Sequence, residues 1–122
     1  MKERSDQLYI TDMVESITRI EGYIEGMSYK EFVGNNMAKD AVLRNLEVIG
    51  EAAKNLSIPT KDKYPDIPWR RIIGLRNIVI HGYFGVDFDN IWKIIKDNIP
   101  EVKLLLEEIL KDLEPKESLW VP

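Results

Sequence analysis

Apolar residues recur at spacings of three and four along most of this chain, which is the period of an amphipathic α-helix. The first such stretch predicts a long helix from about Ser5 to Gly26. Ser28 and Glu31 then have the spacing of a capping box, which predicts a short helix through Phe32 that breaks at residues 34–36. The apolar positions of the long helix are Ile10, Met13, Val14, Ile17, Ile20, Ile24 and Met27.

A second long helix is predicted from Met37 to Leu56. Gly50 lies in its middle, and a glycine there costs roughly 1 kcal/mol relative to alanine. A glycine is tolerated at this position if another helix crosses closely there. Residues 57–68 contain three prolines, which predicts a connection with at most one turn of helix. The apolar positions of the helix are Val42, Leu46, Ile49, Ala53 and Leu56.

A third helix is predicted to open at Asp66 and Pro68 and to end at His81, with Gly82 as a left-handed C-cap. Its apolar positions are Trp69, Ile72, Ile73, Leu75, Val79 and Ile80.

Asp87 is suited to cap a fourth helix, whose apolar face continues to Leu113. Pro100 falls inside this stretch, and a proline disfavours helical backbone at the residue before it, here Ile99. We therefore expect the helix to kink or restart at Pro100. Its apolar positions include Ile91, Trp92, Ile94, Ile95, Leu104, Leu105, Ile109 and Leu110.

These elements predict an all-α fold, an antiparallel helical bundle of four to five main helices in residues 1–113. No strand alternation or internal repeat is visible in the sequence. The tail, residues 114–122, has no helical period. We expect Trp120 in this tail to be held by the bundle or by a neighbouring subunit, with a crystal contact as the alternative.

Composition narrows the class of protein. A chain of 122 residues has room for one domain, and the absence of cysteine excludes a disulfide scaffold, a thiolate metal site and a cysteine nucleophile. The net charge of −4 argues against a nucleic-acid coat protein but allows an enzyme that touches RNA around a small basic site. No apolar run is long enough for a membrane span, and the charged N-terminus does not resemble a signal peptide. We therefore expect a cytoplasmic protein.

The third helix carries the polar residues that are the best candidates for catalysis, including the single histidine, His81. Asn77 lies four residues before His81, on the same helix face, and can orient its imidazole. Arg76 lies about 140° away from His81 around the axis and reaches the same site only by bending its side chain. Arg76 can hold two phosphate oxygens, and His81 can transfer a proton to or from a ribose oxygen. The alternative is a structural His81 beside solvated Arg76 and Asn77.

Residues 76–83 match the Arg-x4-His-x-Tyr motif of the HEPN superfamily, and the chain resembles the HepT-like toxins within it. These are the RNase partners of minimal nucleotidyltransferase antitoxins. The resemblance covers roughly residues 5–113. Beyond the motif it includes residues 40–56, 65–69, 74–77, 82–87 and 91–92. An Arg-x4-His motif alone is a weak signal, whereas this whole arrangement is specific.

The resemblance implies a homodimer in which two copies of the motif face one cleft, so that a single histidine per chain suffices. It implies RNA cleavage without a metal or other cofactor, giving a 2′,3′-cyclic phosphate and a free 5′-hydroxyl. Arg76 and His81 would be catalytic, and Asn77 would position His81. Tyr83 would be the residue to which the cognate antitoxin adds AMP, as in a type VII-like toxin–antitoxin pair. The alternative for Tyr83 is a ring packed at the helix end.

The cleft could include further residues of the second helix. Glu51 pairs either with Arg76 or with a surface residue elsewhere. We expect the two arginines before the motif to form a solvated helix face rather than an extended RNA surface, and two tryptophans to anchor the core or a dimer interface. The cleft candidates are Arg44, Asn45, Glu47 and Glu51, the arginines are Arg70 and Arg71, and the tryptophans are Trp69 and Trp92.

Three functions remain open from the sequence. The first is a ribonuclease toxin, neutralised by modification of Tyr83. The second is a non-catalytic HEPN module that binds nucleotide or the antitoxin and regulates it. The third is a helical dimerisation module in which His81 is structural.

Overall fold

The computed structural model describes residues 4–81 and 85–113, with side chains described for residues 4–78 and 85–113. Helices and their connections make up this part of the chain, with no strand in it, so the all-α prediction is confirmed. The helices are α1 (Asp6–Ile24), α2 (Tyr29–Val33), α3 (Asn36–Asn55), α4 (Ile58–Lys63), α5 (Trp69–His81), α6 (Phe88–Lys93) and α7 (Ile99–Leu113), and a π-helical turn (Ile94–Asn98) joins α6 to α7.

Local capping bonds explain where these helices begin. The Ser5 side chain accepts the Leu8 N–H at the start of α1. The capping box predicted for Ser28 and Glu31 is present at the start of α2. Between the two helices the chain turns at Gly26, whose φ of 74° favours glycine because a side chain is strained there.

Helices α1, α3, α5 and α7 enclose one apolar core, to which each contributes buried residues of its predicted stripe. Leu104, predicted on the apolar face that continues to Leu113, is instead 66% exposed, because the helical step turns it away from the buried Val102 and Leu106. The α3 helix packs against both α1 and α5, and α1 also packs against α7. The carboxylate of Asp6, at the start of α1, accepts the Ser57 N–H (3.0 Å) and hydroxyl (2.6 Å) just after the end of α3. The α1 and α3 helices are therefore antiparallel.

The connection between α3 and α5 contains more helix than expected. The α4 helix has six residues, where the prolines predicted at most one turn. The prediction was wrong because Pro59 falls in the first helical turn, where an N–H has no intrahelical partner to lose. The Trp69 indole then donates to the carbonyl oxygens of Lys61 (3.1 Å) and Tyr64 (3.0 Å). Trp69 is thus a core anchor that ties this connection to α5.

The helix before Pro100 is deformed rather than broken. Ile99 keeps helical backbone angles (φ −64°, ψ −42°), so the expectation that proline would displace it was wrong. Its N–H donates to the Ile94 carbonyl, five residues back, in the π-helical turn. This wider turn absorbs one extra residue and gives the proline ring room against the preceding turn.

Three predictions concern residues beyond this description. The Gly82 cap, the environment of Tyr83 and the packing of Trp120 lie outside the described residues. Within residues 4–81 and 85–113, no helix combines the length and apolar character that crossing a membrane requires.

Candidate functional site

The α3 and α5 helices approach each other closely at Gly50. A Cβ atom at this position would lie 2.9 Å from the backbone nitrogen of Arg76 and 3.1 Å from the carbonyl oxygen of Ile72. The first distance is shorter than real Cβ atoms show and the second is unusually tight, so a side chain at residue 50 would require a shift of the backbone. The close helix crossing that makes a glycine tolerable at this position is present, and it brings the motif arginine against α3.

Arg76 forms an ion pair with Glu51, the residue after this glycine. The Arg76 Nε atom lies 2.9 Å from Glu51 Oε2, with the two side chains 36% and 48% exposed. This is the first of the two alternatives that the sequence left open for Glu51. At such exposure the pair adds little to folding stability, at most about 1 kcal/mol.

A cavity of about 560 Å³ is lined by residues of α1 and α3 and by Arg76 of α5. Three arginines line it, and each is paired with a carboxylate that also lines it. The pairs are Arg4–Asp12 (2.7 Å), Arg44–Glu47 (3.1 Å) and Arg76–Glu51 (2.9 Å). The six charges of these pairs cancel within the lining of the cavity.

The predicted cleft residues of α3 divide into two groups. Arg44, Glu47 and Glu51 line the cavity. Asn45 does not, which corrects the expectation that it could line the cleft. It is buried, and its amide donates to the Ala41 carbonyl (2.9 Å) one turn earlier in the same helix. The reason is the 100° step of the helix, which turns Asn45 inward when Arg44 faces outward.

The remaining aromatic and basic candidates lie away from this cavity. Arg70 and Arg71 are exposed on the first turn of α5, as expected for a solvated face. Trp92 is half-buried and packs on Phe32 (5.2 Å between ring centroids) and Tyr29 (6.0 Å). This aromatic cluster joins α2 to α6 and gives Trp92 a core role.

The motif itself is described in part. Arg76 is half-buried and Asn77 is exposed on α5, which ends at His81 as predicted. The side chain of His81 and the whole of Tyr83 lie outside the described residues. The contact of Asn77 with His81, and that of His81 with Arg76, therefore stay predictions. Among the described side chains, no three acidic or histidine groups come together as a metal site.

Sequence reasoning missed the contribution of α1 to the cavity. Arg4, Tyr9 and Asp12 line it, and the Arg4 guanidinium lies 5.0 Å from the centre of the Tyr9 ring. No local motif marks these residues. The antiparallel pairing of α1 and α3 was the available signal, because it places the start of α1 beside the end of α3.

Comparison with known proteins agrees with the geometry. A family model described as "Ribonuclease HepT-like" matches residues 13–109, which include Arg76, Asn77 and His81. A Methanocaldococcus jannaschii protein named "Putative RNase MJ1216" is 41% identical over 118 residues, 97% of this chain and 98% of that protein. The "Probable ribonuclease HepT" of Thermococcus cleftensis is 38% identical over 109 residues, 89% of this chain and 99% of that protein.

No solved structure matches the chain significantly. The family match nevertheless covers most of the chain, and the relatives align over nearly their whole lengths. The chain therefore belongs to the HepT-like ribonuclease family.

Proposed function

We propose that this protein is an endoribonuclease toxin that cleaves RNA without a metal ion, at a site built from Arg76 and His81. The observation that carries the proposal is the family match across residues 13–109, within which Arg-x4-His-x-Tyr is complete at residues 76–83. The relatives' names supply the reaction class, since they are called RNases. RNA is accordingly the proposed substrate.

The position of Arg76 supports this role. Its side chain lines a cavity and is 36% exposed, and its Nε atom lies beside Glu51. A partly exposed guanidinium with a fixed orientation is suited to a phosphodiester, because its planar fork can donate two hydrogen bonds to phosphate oxygens. Arg76 would stabilise the negative charge that develops on the phosphate during cleavage.

The proposed reaction uses the RNA's own nucleophile. The ribose 2′-oxygen attacks the adjacent phosphorus and forms a new P–O bond, while the bond from phosphorus to the 5′-oxygen of the next nucleotide breaks. The 2′-hydroxyl proton passes to a base, and the leaving 5′-oxygen takes up a proton from an acid. The products are a 2′,3′-cyclic phosphate and a 5′-hydroxyl, and His81 serves as the base or the acid, with Asn77 positioning its ring.

A homodimer would supply both proton-transfer groups. Each chain contains one histidine, so one copy of His81 can accept the proton while the other donates one. A two-fold axis that brings two α5 ends together would also place two copies of Arg76 near one phosphate. The dimer is therefore part of the proposed active site.

We further propose that a cognate nucleotidyltransferase antitoxin neutralises the enzyme by adding AMP to Tyr83. Tyr83 occupies the last position of the motif, two residues after His81. A bulky and negatively charged AMP group there would obstruct RNA and compete for Arg76. Intact mass spectrometry of protein co-expressed with the antitoxin should show one or more added AMP units, which are absent from Tyr83→Phe. Unchanged mass in both would contradict this regulation.

One observation favours a second candidate, a non-catalytic module that binds a nucleotide or the antitoxin. The cavity of about 560 Å³ has the size of a small-ligand site and is lined by Tyr9 and paired arginines. This candidate predicts binding of a nucleotide without cleavage of RNA.

The deciding experiment is cleavage of a mixed-sequence RNA by purified protein in EDTA, with His81→Ala and Arg76→Ala alongside. The proposal expects cutting by the natural protein alone, with cyclic phosphate at the new 3′ ends. Equal cutting by His81→Ala would assign the activity to another residue or to a contaminant. No cutting by protein whose intact mass shows no modification would favour the binding module.

A further inference from the structure

The ion pair between Arg76 and Glu51 is formed at the Nε atom of the guanidinium group. Glu51 Oε2 lies 2.9 Å from Nε, the nitrogen on the stem side of the guanidinium plane. Among the residues described, 4–81 and 85–113, no second carboxylate comes within ion-pair distance of Arg76. The two terminal nitrogens of Arg76 can therefore face a phosphate while Nε stays with Glu51.

This contact gives the Arg76 side chain a direction that the spacing of the motif alone does not give. Positions 76 and 81 lie about 140° apart around α5, so helix geometry alone does not direct the arginine toward the histidine. A free arginine side chain also samples many rotamers, and ordering it on substrate binding costs entropy. A contact with a residue of the neighbouring α3 helix directs the arginine and orders its side chain before RNA binds.

The backbone of α3 is built for this contact. Because Gly50 has no side chain, α5 approaches until the position of a Cβ at residue 50 would lie 3.2 Å from the Arg76 Cβ. At this separation Glu51 reaches Nε with its own side chain. Gly50 and Glu51 thus act together, the first setting the distance between the helices and the second setting the direction of the arginine.

We propose that Glu51 is a positioning residue, which holds Arg76 through Nε and leaves its terminal nitrogens directed at the scissile phosphate. The inference rests on the proposed ribonuclease function and extends it to a residue outside the motif. The opposite role is also conceivable for a carboxylate, which could compete with phosphate for Arg76. The two roles predict opposite changes on removal of the charge.

The test compares two isosteric variants, Glu51→Gln and Glu21→Gln. Glu21 is a matched control because it also forms an ion pair between helices, with Lys103 at 2.8 Å, and is 39% exposed. It lies outside the cavity described above. Steady-state cleavage of a defined RNA in EDTA gives kcat and KM for the natural protein and each variant.

For a positioning role, Glu51→Gln should lower kcat about tenfold with KM changed less than about twofold, because the loss falls on the oriented transition state. Glu21→Gln should leave both constants within about twofold of the natural values. Unchanged kcat in Glu51→Gln, or a lower KM with equal or higher kcat, would overturn the proposal. The second of these results would identify Glu51 as a competitor.

A second measurement does not depend on activity. The Nε–Hε group of Arg76 gives a ¹⁵N NMR signal, assigned by its disappearance in Arg76→Lys. Its heteronuclear NOE should fall in Glu51→Gln and stay unchanged in Glu21→Gln. An unchanged NOE in Glu51→Gln would overturn the positioning role. If the natural protein itself cleaves no RNA, the proposed function fails, and the NOE alone then decides whether Glu51 orders Arg76.

Discussion

Gly50 of α3 lies directly against the backbone of Arg76 in α5. A Cβ at residue 50 would come 2.9 Å from the Arg76 nitrogen, which is backbone and cannot rotate away. A side chain at residue 50 would therefore change both the distance between the two helices and the position of Arg76.

Gly50→Ala should destabilise the protein although alanine is the better helix former. The propensity gain is about 1 kcal/mol, but forcing a methyl group into packed backbone costs roughly 1–3 kcal/mol. We expect the free energy of unfolding in urea to fall by about 1 kcal/mol and RNA cleavage to weaken as α5 moves away. Gly22→Ala is the control, because among the residues that the structure describes no atom beyond the backbone of its own helix and its chain neighbours lies within 4 Å of an added Cβ. That variant should be stabilised, and a Gly50→Ala protein as stable as it would contradict the crossing.

Ser16→Ala should stabilise the protein. Ser16 is 1% exposed in the middle of α1, and its hydroxyl has no hydrogen-bond partner among the described residues. A buried hydroxyl without a partner costs about 1–3 kcal/mol of desolvation, so its removal should raise the free energy of unfolding by about 1 kcal/mol. Thr18→Ala is the comparison, because that exposed hydroxyl donates to the Val14 carbonyl at 2.9 Å. A loss of stability in Ser16→Ala would show that the hydroxyl is satisfied in solution.

Stability should fall in acid through Asp6. Burial works to raise the pKa of Asp6, but hydrogen bonds from Ser57 and Thr60 together lower it from its ordinary value of 3.8. A carboxyl with a depressed folded pKa contributes stability above its unfolded pKa, and this contribution is lost as pH falls through the folded value. The urea midpoint should therefore drop below about pH 4. Asp6→Asn should be less stable at neutral pH and lose less stability in acid, whereas an equal acid loss in the variant would rule out Asp6 as the source.

RNA affinity should depend only weakly on salt. The cavity arginines are each paired with a carboxylate and the chain carries a net charge of −4, so few phosphates can be neutralised. Two or three contacts to single-stranded RNA give a slope of about −1.4 to −2.1 in log affinity against log salt concentration. Fluorescence anisotropy with 2′-O-methyl RNA, which lacks the nucleophile, measures this slope without cleavage.

Arg76→Gln should reduce the salt slope by about 0.7, the share of one phosphate. Arg19→Gln is the control, since Arg19 lies on α1 but does not line the cavity. A slope much steeper than −2.1 would indicate a larger basic surface than the cavity supplies.

Local signals explain most of what could be predicted about the fold. Capping side chains such as Ser28 and Asp87 bond to N–H groups three residues away, so their effect is visible in a short window. The apolar period identifies the buried face of each long helix for the same reason. Two predictions about proline failed. Pro59 fits the first turn of α4, and Ile99 stays helical before Pro100 because the π-helical turn outweighs the local preference against helix.

The sequence by itself determined the long helices, most of their buried positions and the motif that identifies the family, because these depend on contacts within a few residues. Only the tertiary structure decided that Glu51 pairs with Arg76 and that Arg4, before α1, and Tyr9, in α1, complete the cavity. Those contacts join residues far apart in the chain, and they depend on which helices pack together and how closely. Gly50 shows the physical link, since the absence of one side chain sets the distance at which the two helices meet.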